Sequence, residues 1–422
     1  MNAPRFVYSV AASSLHDQDA VAALTAPVRG VLDDLGGTAV DLASPADEAP
    51  GIPHLLVVAT GGTERLLLDA IAARAATQPS AHLSAPTVLV AHRGHNALPA
   101  ALETLAAIQQ RGGRGRIVSV TGDAVADRTA LDEAVGDLEA VAAMRSTRLG
   151  VIGGPSSWLV ASSPSPESVR RRWGPEVVIV DPTRMIELTR TPVTPTGVLA
   201  ERFTRVADPV RSTVDREAVD DAMGVRAALA DVIDHDELDA VTVRCFDLLG
   251  DPGTSGCLAL ASLNDDGIVA GCEGDVPSAL AMLWVRHLLE QPTWMANPAS
   301  LDVDRNELLL AHCTVAPSMV ESFALDTHFE SGMGVGISAR FAPQPVTLIR
   351  LGGADLDQCW IAEGAIVATG DDADLCRTQV TVALSSGNVG DLLTHPLGNH
   401  LVLAAGHHER RLRAWWSMVV AS

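Results

Sequence analysis

Gly271-Cys272-Glu273-Gly274-Asp275-Val276-Pro277-Ser278-Ala279-Leu280 reads as the end of an apolar strand, a short turn with two carboxylates, and the start of a helix. A strand, tight turn and helix in that order is the repeating unit of an α/β fold. The carboxyl ends of strands in such folds open into the ligand crevice. A turn serving packing alone would carry small or apolar residues there, because Asp and Glu are rarely buried unless paired. Three later segments bring imidazoles that the reading gathers at the same point: Ala311-His312-Cys313-Thr314, Thr327-His328-Phe329-Glu330-Ser331-Gly332 and Leu397-Gly398-Asn399-His400. Together they predict a site of carboxylates and histidines suited to a metal. The plainer alternatives are that Asp275 caps the helix beginning near Val276 and that Glu273 offsets the positive end of the same helix.

Working outward from that turn, the first third of the chain alternates β-branched runs with Ala-rich helical stretches, as parallel βαβ units do. Strands are expected at Arg5 to Val10, His54 to Ala59, Thr87 to Ala91, Arg116 to Val120 and Arg148 to Ile152. Helical spacing runs over Asp17 to Leu35, Glu64 to Ala76, Leu98 to Arg111 and Arg128 to Met144. A second α/β unit follows, with strands at Val177 to Val180, Ala240 to Leu248, Ile268 to Gly271 and Glu307 to His312, and helices over Asp215 to His235 and Val276 to Leu289. Thr191 to Pro209 reads as a connector. From about Ser322 short Gly-punctuated β runs favour an antiparallel sheet or small barrel, closed by a final helix over His408 to Val420 in which Trp415 and Trp416 act as packing anchors. The expected architecture is two doubly wound α/β domains, residues 1–145 and 146–320, then an antiparallel, barrel-like β domain with a terminal helix, residues 321–422.

Composition narrows the class. At 422 residues the chain exceeds the size at which one core keeps growing, and 47% hydrophobic with 19% charged residues is that of a globular protein. A formal charge of -22, with one Tyr and six Phe, opposes binding to nucleic acid. The N-terminus has no basic start followed by a long apolar core, and the apolar runs are broken before the length that spans a bilayer. The expectation is a cytoplasmic protein with no membrane contact. Six cysteines without a Cys-x-x-Cys pair signal neither a zinc knuckle nor an iron–sulfur cluster. They are expected to be reduced and mostly buried.

The strand Val241-Thr242-Val243-Arg244-Cys245-Phe246-Asp247, the Cys-Glu-Gly-Asp turn, the Ala-His-Cys-Thr turn, the His-Phe-Glu-Ser-Gly segment and the late Gly-Asn-His resemble the L-fucose and L-arabinose isomerase superfamily, and its shorter fucose-isomerase-like members most. The likeness runs from about residue 148 to the C-terminus. It implies two carboxylates and a histidine around a manganese-type ion. Asp275 and His400 match the family's ligands, and Asp247 is the best match for the upstream carboxylate, with Asp251 and Glu273 as alternatives. It also implies a homo-oligomer, trimeric or hexameric.

Two carboxylates and an imidazole suit Mn²⁺, Mg²⁺, Co²⁺ or Fe²⁺ and leave positions open for substrate oxygens; among these the resemblance implies Mn²⁺. The expected reaction is aldose–ketose isomerisation of a free sugar through an enediol. Asp247 and Asp275 serve as acid and base, and Glu273, His312, His328, Glu330 and Asn399 bind the substrate. The competing readings are a metal-assisted lyase, epimerase or transferase on the same scaffold, and a non-catalytic sugar-binding or regulatory protein.

Overall fold

The computed structural model describes residues 4–42, 52–76, 85–190 and 197–420. The chain divides into two compact units, Met1–Arg145 with Arg413–Ser422, and Ser146–Leu412.

In the first unit the described residues form a five-stranded parallel sheet, in the order Gly37–Ala39, Phe6–Ala11, His54–Val58, Thr87–His92, Gly115–Val120. The central strands are apolar on both faces, as helix-covered parallel strands must be, and Leu56, Val58, Leu89 and Ala91 pack with Leu67, Ala97 and Ala101 of the covering helices. Helix Gln18–Asp34 starts where the Asp17 carboxylate accepts from the Asp19 and Ala20 amides. The C-terminal helix Glu409–Val419 gives its last turns to this unit, where buried Trp415 donates Nε1–H to the Asp137 carbonyl at 3.1 Å. The edge strand Gly37–Ala39 escapes sequence reading because three residues are too few to show a period.

The second unit holds a four-stranded parallel sheet, in the order Glu176–Val180, Arg148–Ile152, Ala240–Val243, Ala270–Cys272, and a closed antiparallel barrel. Around the barrel the order is Thr293–Asp302, Glu307–His312, Thr378–Leu384, Gln358–Thr369, Pro345–Gly352 and Leu401–Ala405, and Leu401–Ala405 pairs back onto Thr293–Asp302 to close it. A separate hairpin pairs Ser322–Asp326 with Gly336–Arg340. No helix among the described residues is long and apolar enough to cross a membrane. The predicted architecture of parallel α/β sheets followed by an antiparallel barrel and a terminal helix is the one observed.

Three local expectations are corrected. Glu307–His312 belongs to the barrel, pairing antiparallel with Thr293–Asp302 and Thr378–Leu384; a short apolar run does not by its periodicity reveal which sheet it joins. The expected strand Ala240 to Leu248 stops at Val243, and Asp247–Gly250 is a helical turn. In the expected connector, residues 191–196 lie outside the described residues, and Gly197–Val206 is a helix that buries Ala200 and Phe203.

His54 opens the third strand of the first sheet, with Nε2 3.0 Å from the Ser9 hydroxyl. Burial, reinforced by the nearby Arg74 charge, lowers its pKa from 6.5 to about 3. The unfolded chain therefore binds a proton at His54 between those values that the folded chain refuses, so this contribution to stability is complete above pH 6.5 and is lost as pH falls toward 3. We expect the melting temperature to fall between pH 7 and pH 4, and to fall less in His54→Gln; equal slopes in the two proteins would rule His54 out as a cause.

Candidate metal and active site

The site lies in the second unit, beyond the carboxyl ends of the parallel strands, where the barrel's residues face them. Strand Ala270–Cys272 ends in Glu273 and Gly274, both in left-handed conformation, at φ +63 and +72. Only glycine fits the second position, because a Cβ there would sit 2.4 Å from the Gly154 carbonyl oxygen. This sharp reversal lets the Glu273 side chain face the cavity while Asp275 turns the other way to cap helix Val276–Leu289.

Asp275 is fully buried and has three partners. Its Oδ1 accepts from the Ser278 amide at 2.8 Å, which is the helix cap, and its Oδ2 accepts from Arg350 Nη1 at 3.0 Å and from His400 Nδ1 at 2.8 Å. Arg350, itself buried, also donates to the Ser278 and Ser162 hydroxyls and the Leu397 carbonyl. Gly398 makes room for it: a Cβ there would lie 1.9 Å from Arg350 Nη2. Burial alone would raise the Asp275 pKa, but the Arg350 charge and His400 outweigh it and hold the carboxyl well below the usual range.

With Nδ1 committed to Asp275, His400 turns Nε2 toward Glu273 and His312. That nitrogen is buried without a hydrogen-bond partner, and although Glu273 Oε1 is 3.3 Å away, the two are not aligned for a hydrogen bond. Glu273 Oε2 accepts from Trp158 Nε1 at 2.6 Å. His312 places Nδ1 2.9 Å from the Thr314 hydroxyl, and its ring meets that of His400 edge to face at 5.7 Å. Glu273, His312 and His400 each offer a ligand atom, and these atoms lie within 4.8 Å of one another. Burial lowers the His400 pKa, yet Asp275 and Glu273 more than offset it and raise it to about 9. Burial, with the neighbouring His400, takes His312 down to about 4. Burial pushes the Glu273 pKa up, and His400 and Trp158 bring it below its usual value.

A carboxylate, two imidazoles and an unpaired buried nitrogen fit a borderline or hard divalent cation such as Mn²⁺, Fe²⁺, Co²⁺ or Zn²⁺. The Asp275 carboxylate fixes the His400 ring through Nδ1, the kind of contact that carboxylates make to imidazoles whose other nitrogen binds a metal.

Glu273 and His312 line a cavity of about 520 Å³ whose walls also include Trp158, Phe246, His328, Phe329, Glu330 and Asn399. The structure thus brings Glu273, His312, His328, Glu330 and Asn399 to one cavity, as the sequence reading has them. His328 is fixed by Ser331 at 3.1 Å and packs edge to face on Phe246. Asp247 stands apart: its Oδ2 accepts from Arg244 Nε at 2.7 Å, its side chain is 34% exposed, and it is not among the cavity-lining residues. Asp251 pairs with Arg190 at the surface. Asp247, Asp275 and His400 therefore do not converge as three donors; Asp275 is engaged by Arg350 and the helix end, and Glu273 and His312 take the positions facing His400. Arg350 and Trp158 are absent from the sequence reading. A charge inside the apolar strand Pro345–Gly352 is the signal for Arg350; a lone Trp in a Ser-rich loop gives none for Trp158.

No known family model matches the chain. Curated relatives do. The chain is similar to a sulfoquinovose isomerase of Clostridium sp. (strain MSTE9), 33% identical over 134 residues that cover 30% of this chain and 29% of the relative. It is also similar to proteins of the same name from Priestia aryabhattai, 25% identical over 143 residues covering 30% and 32%, and from Alkalicoccus urumqiensis, 24% over 209 residues covering 44% and 43%. The match thus spans less than half the length of each of these relatives.

Breaking the buried pair leaves an uncompensated charge. Arg350→Met and Asp275→Asn should each destabilise the second unit by about 3–5 kcal/mol, and the double variant by clearly less than the sum, because the two residues are in contact. Urea denaturation of the four proteins measures this, and strict additivity would mean that the pair does not act as a unit.

Proposed function

We propose that this chain is a metal-dependent aldose–ketose isomerase of the fucose-isomerase-like kind. The observation that carries the reading is the buried Glu273, His312 and His400 donor set beside a cavity of sugar size. The shared name of the curated relatives supports the same reaction class.

A divalent ion held by Glu273, His312 and His400 supplies Lewis acidity to the carbonyl and hydroxyl oxygens of an open-chain sugar. The protein's own residues do the rest. Trp158 holds one oxygen of Glu273, leaving the other directed at His400. Asp275 and Arg350 keep the His400 ring in place through Nδ1. Glu330 is the other carboxylate in the cavity wall among the described residues, and it moves the proton from C2 of the aldose to C1 of the ketose. Trp158, Phe246 and Phe329 provide apolar wall against which the sugar's carbon chain packs, and His328 and Asn399 supply polar contacts for hydroxyls. The chain contains no lysine, so carbonyl activation through a Schiff base, the usual alternative for carbon-acid chemistry on sugars, has no residue to form it.

The relatives' name makes a sulfonated hexose the first compound to assay, beside neutral aldoses and ketoses. Chelator-treated protein should be inactive and regain turnover with Mn²⁺. Glu273→Gln and His400→Ala should lose both metal and turnover, whereas Glu330→Gln should retain metal and lose about 10²–10⁴-fold in kcat, the usual worth of a general base. Undiminished turnover in metal-free protein would sink the proposal, and undiminished kcat in Glu330→Gln would move the base elsewhere.

A further inference from the structure

Five of the chain's six cysteines, Cys245, Cys257, Cys272, Cys313 and Cys376, line the same cavity as Glu273 and His312. All are free thiols. Neither metal binding by a carboxylate and imidazoles nor proton transfer uses them. Cys245 and Cys272 are in direct contact, with sulfurs 2.8 Å apart. Their proximity follows from the sheet. Val243 and Cys272 are register partners on neighbouring parallel strands, and the Cys245 amide folds back onto the Val243 carbonyl at 2.8 Å. That fold-back turns the Cys245 thiol across the strand ends onto its neighbour. Cys313 is engaged differently: its sulfur accepts from the Arg377 amide at 3.4 Å and is shared between two other thiols, Cys257 and Cys376, rather than paired with one. Cys272 is also joined by a peptide bond to Glu273, so a displacement at one is felt at the other.

We propose that Cys245 and Cys272 form an oxidative modification site, at which hydrogen peroxide entering the cavity links them in a disulfide that displaces Glu273 and disables the donor set. One thiol attacks a peroxide oxygen, the O–O bond breaks, and a sulfenic acid and water form. The second sulfur then displaces the sulfenic oxygen as another water. Two S–H bonds and one O–O bond are lost, one S–S bond and two O–H bonds are gained, and both electrons from the thiols reduce the peroxide. A dithiol reductant reverses the change. Closing the sulfurs to about 2.05 Å shifts the residue next to Glu273 inside a closely packed turn. The loss of turnover rests on the isomerase reading; the disulfide does not.

The test treats reduced, Mn²⁺-loaded full-length protein with graded hydrogen peroxide, removes excess metal, and reads linked peptides, bound Mn²⁺ and turnover on the same samples. Cleavage before aspartates separates peptide 239–246, which holds Cys245, from peptide 266–274, which holds Cys272. The expected result is a linked 239–246/266–274 species, two hydrogens lighter than the sum. Mn²⁺ retention should fall by about 10- to 100-fold, the usual cost of disturbing a metal site's supporting contacts, and dithiothreitol should restore it. Cys245→Ser and Cys272→Ser, each compared with its own untreated sample, should form no such link and keep their Mn²⁺. Peroxide that links Cys257 or Cys376 to Cys313 while this pair stays reduced would overturn the assignment. A linked pair with undiminished Mn²⁺ retention, or equal loss in both serine variants, would overturn it as well. If the linked peptide forms and reverses but no sugar is turned over before treatment, the isomerase reading fails and the modification site stands.

Discussion

One carboxylate organises the second unit. Asp275 caps helix Val276–Leu289, pairs with Arg350 of the barrel and holds His400 of the late loop, and it does all three while fully buried. An ion pair taken out of water gains little net stability over an apolar contact of similar shape. What it contributes here is position: the guanidinium has donors for Asp275, Ser278, Ser162 and the Leu397 carbonyl, and it joins the end of the parallel sheet to the barrel strand Pro345–Gly352. Without Arg350, the buried Asp275 charge would keep only the Ser278 amide and His400 as partners.

The chemistry of the site descends from that arrangement. Because Asp275 occupies Nδ1, His400 can offer only Nε2, and Nε2 faces Glu273 and His312. The two carboxylates of the Cys-Glu-Gly-Asp turn, separated by two successive left-handed residues, thus meet different nitrogens of His400. Glu273 faces His400 Nε2 and His312, whereas Asp275 holds His400 Nδ1 and the helix end. The same strand ends that deliver Glu273 also bring Cys245 and Cys272 into contact, so donor geometry and thiol chemistry are coupled by one peptide bond.

Much of this was legible in the sequence, for identifiable reasons. Parallel strands buried on both faces give unbroken β-branched runs, and the helices between them show their period over many residues; hence Glu64–Ala76 and Val276–Leu289 are read to the residue. Glu273, His312, His328, Glu330 and Asn399, which the sequence assigns to the substrate through short motifs in the order of the resembled family, line one cavity. The division of labour was not legible. Whether a carboxylate after a strand faces a cavity or a helix end depends on one backbone reversal, and the partner that decides it, Arg350, lies 75 residues downstream of Asp275. Asp247 illustrates the converse. It is the best match to the resembled family's upstream carboxylate, but the strand ends at Val243, and three residues of irregular chain and a helical turn carry the side chain to Arg244 instead.

The central claim is the identity of the donor set, and the most direct measurement is anomalous diffraction from crystals grown with Mn²⁺. The account predicts a single strong peak in this cavity, within bonding distance of a Glu273 oxygen and of one nitrogen each of His312 and His400, with Asp275 still on His400 Nδ1. A peak bonded to Asp247 and Asp275, or no peak at saturating Mn²⁺, would contradict it.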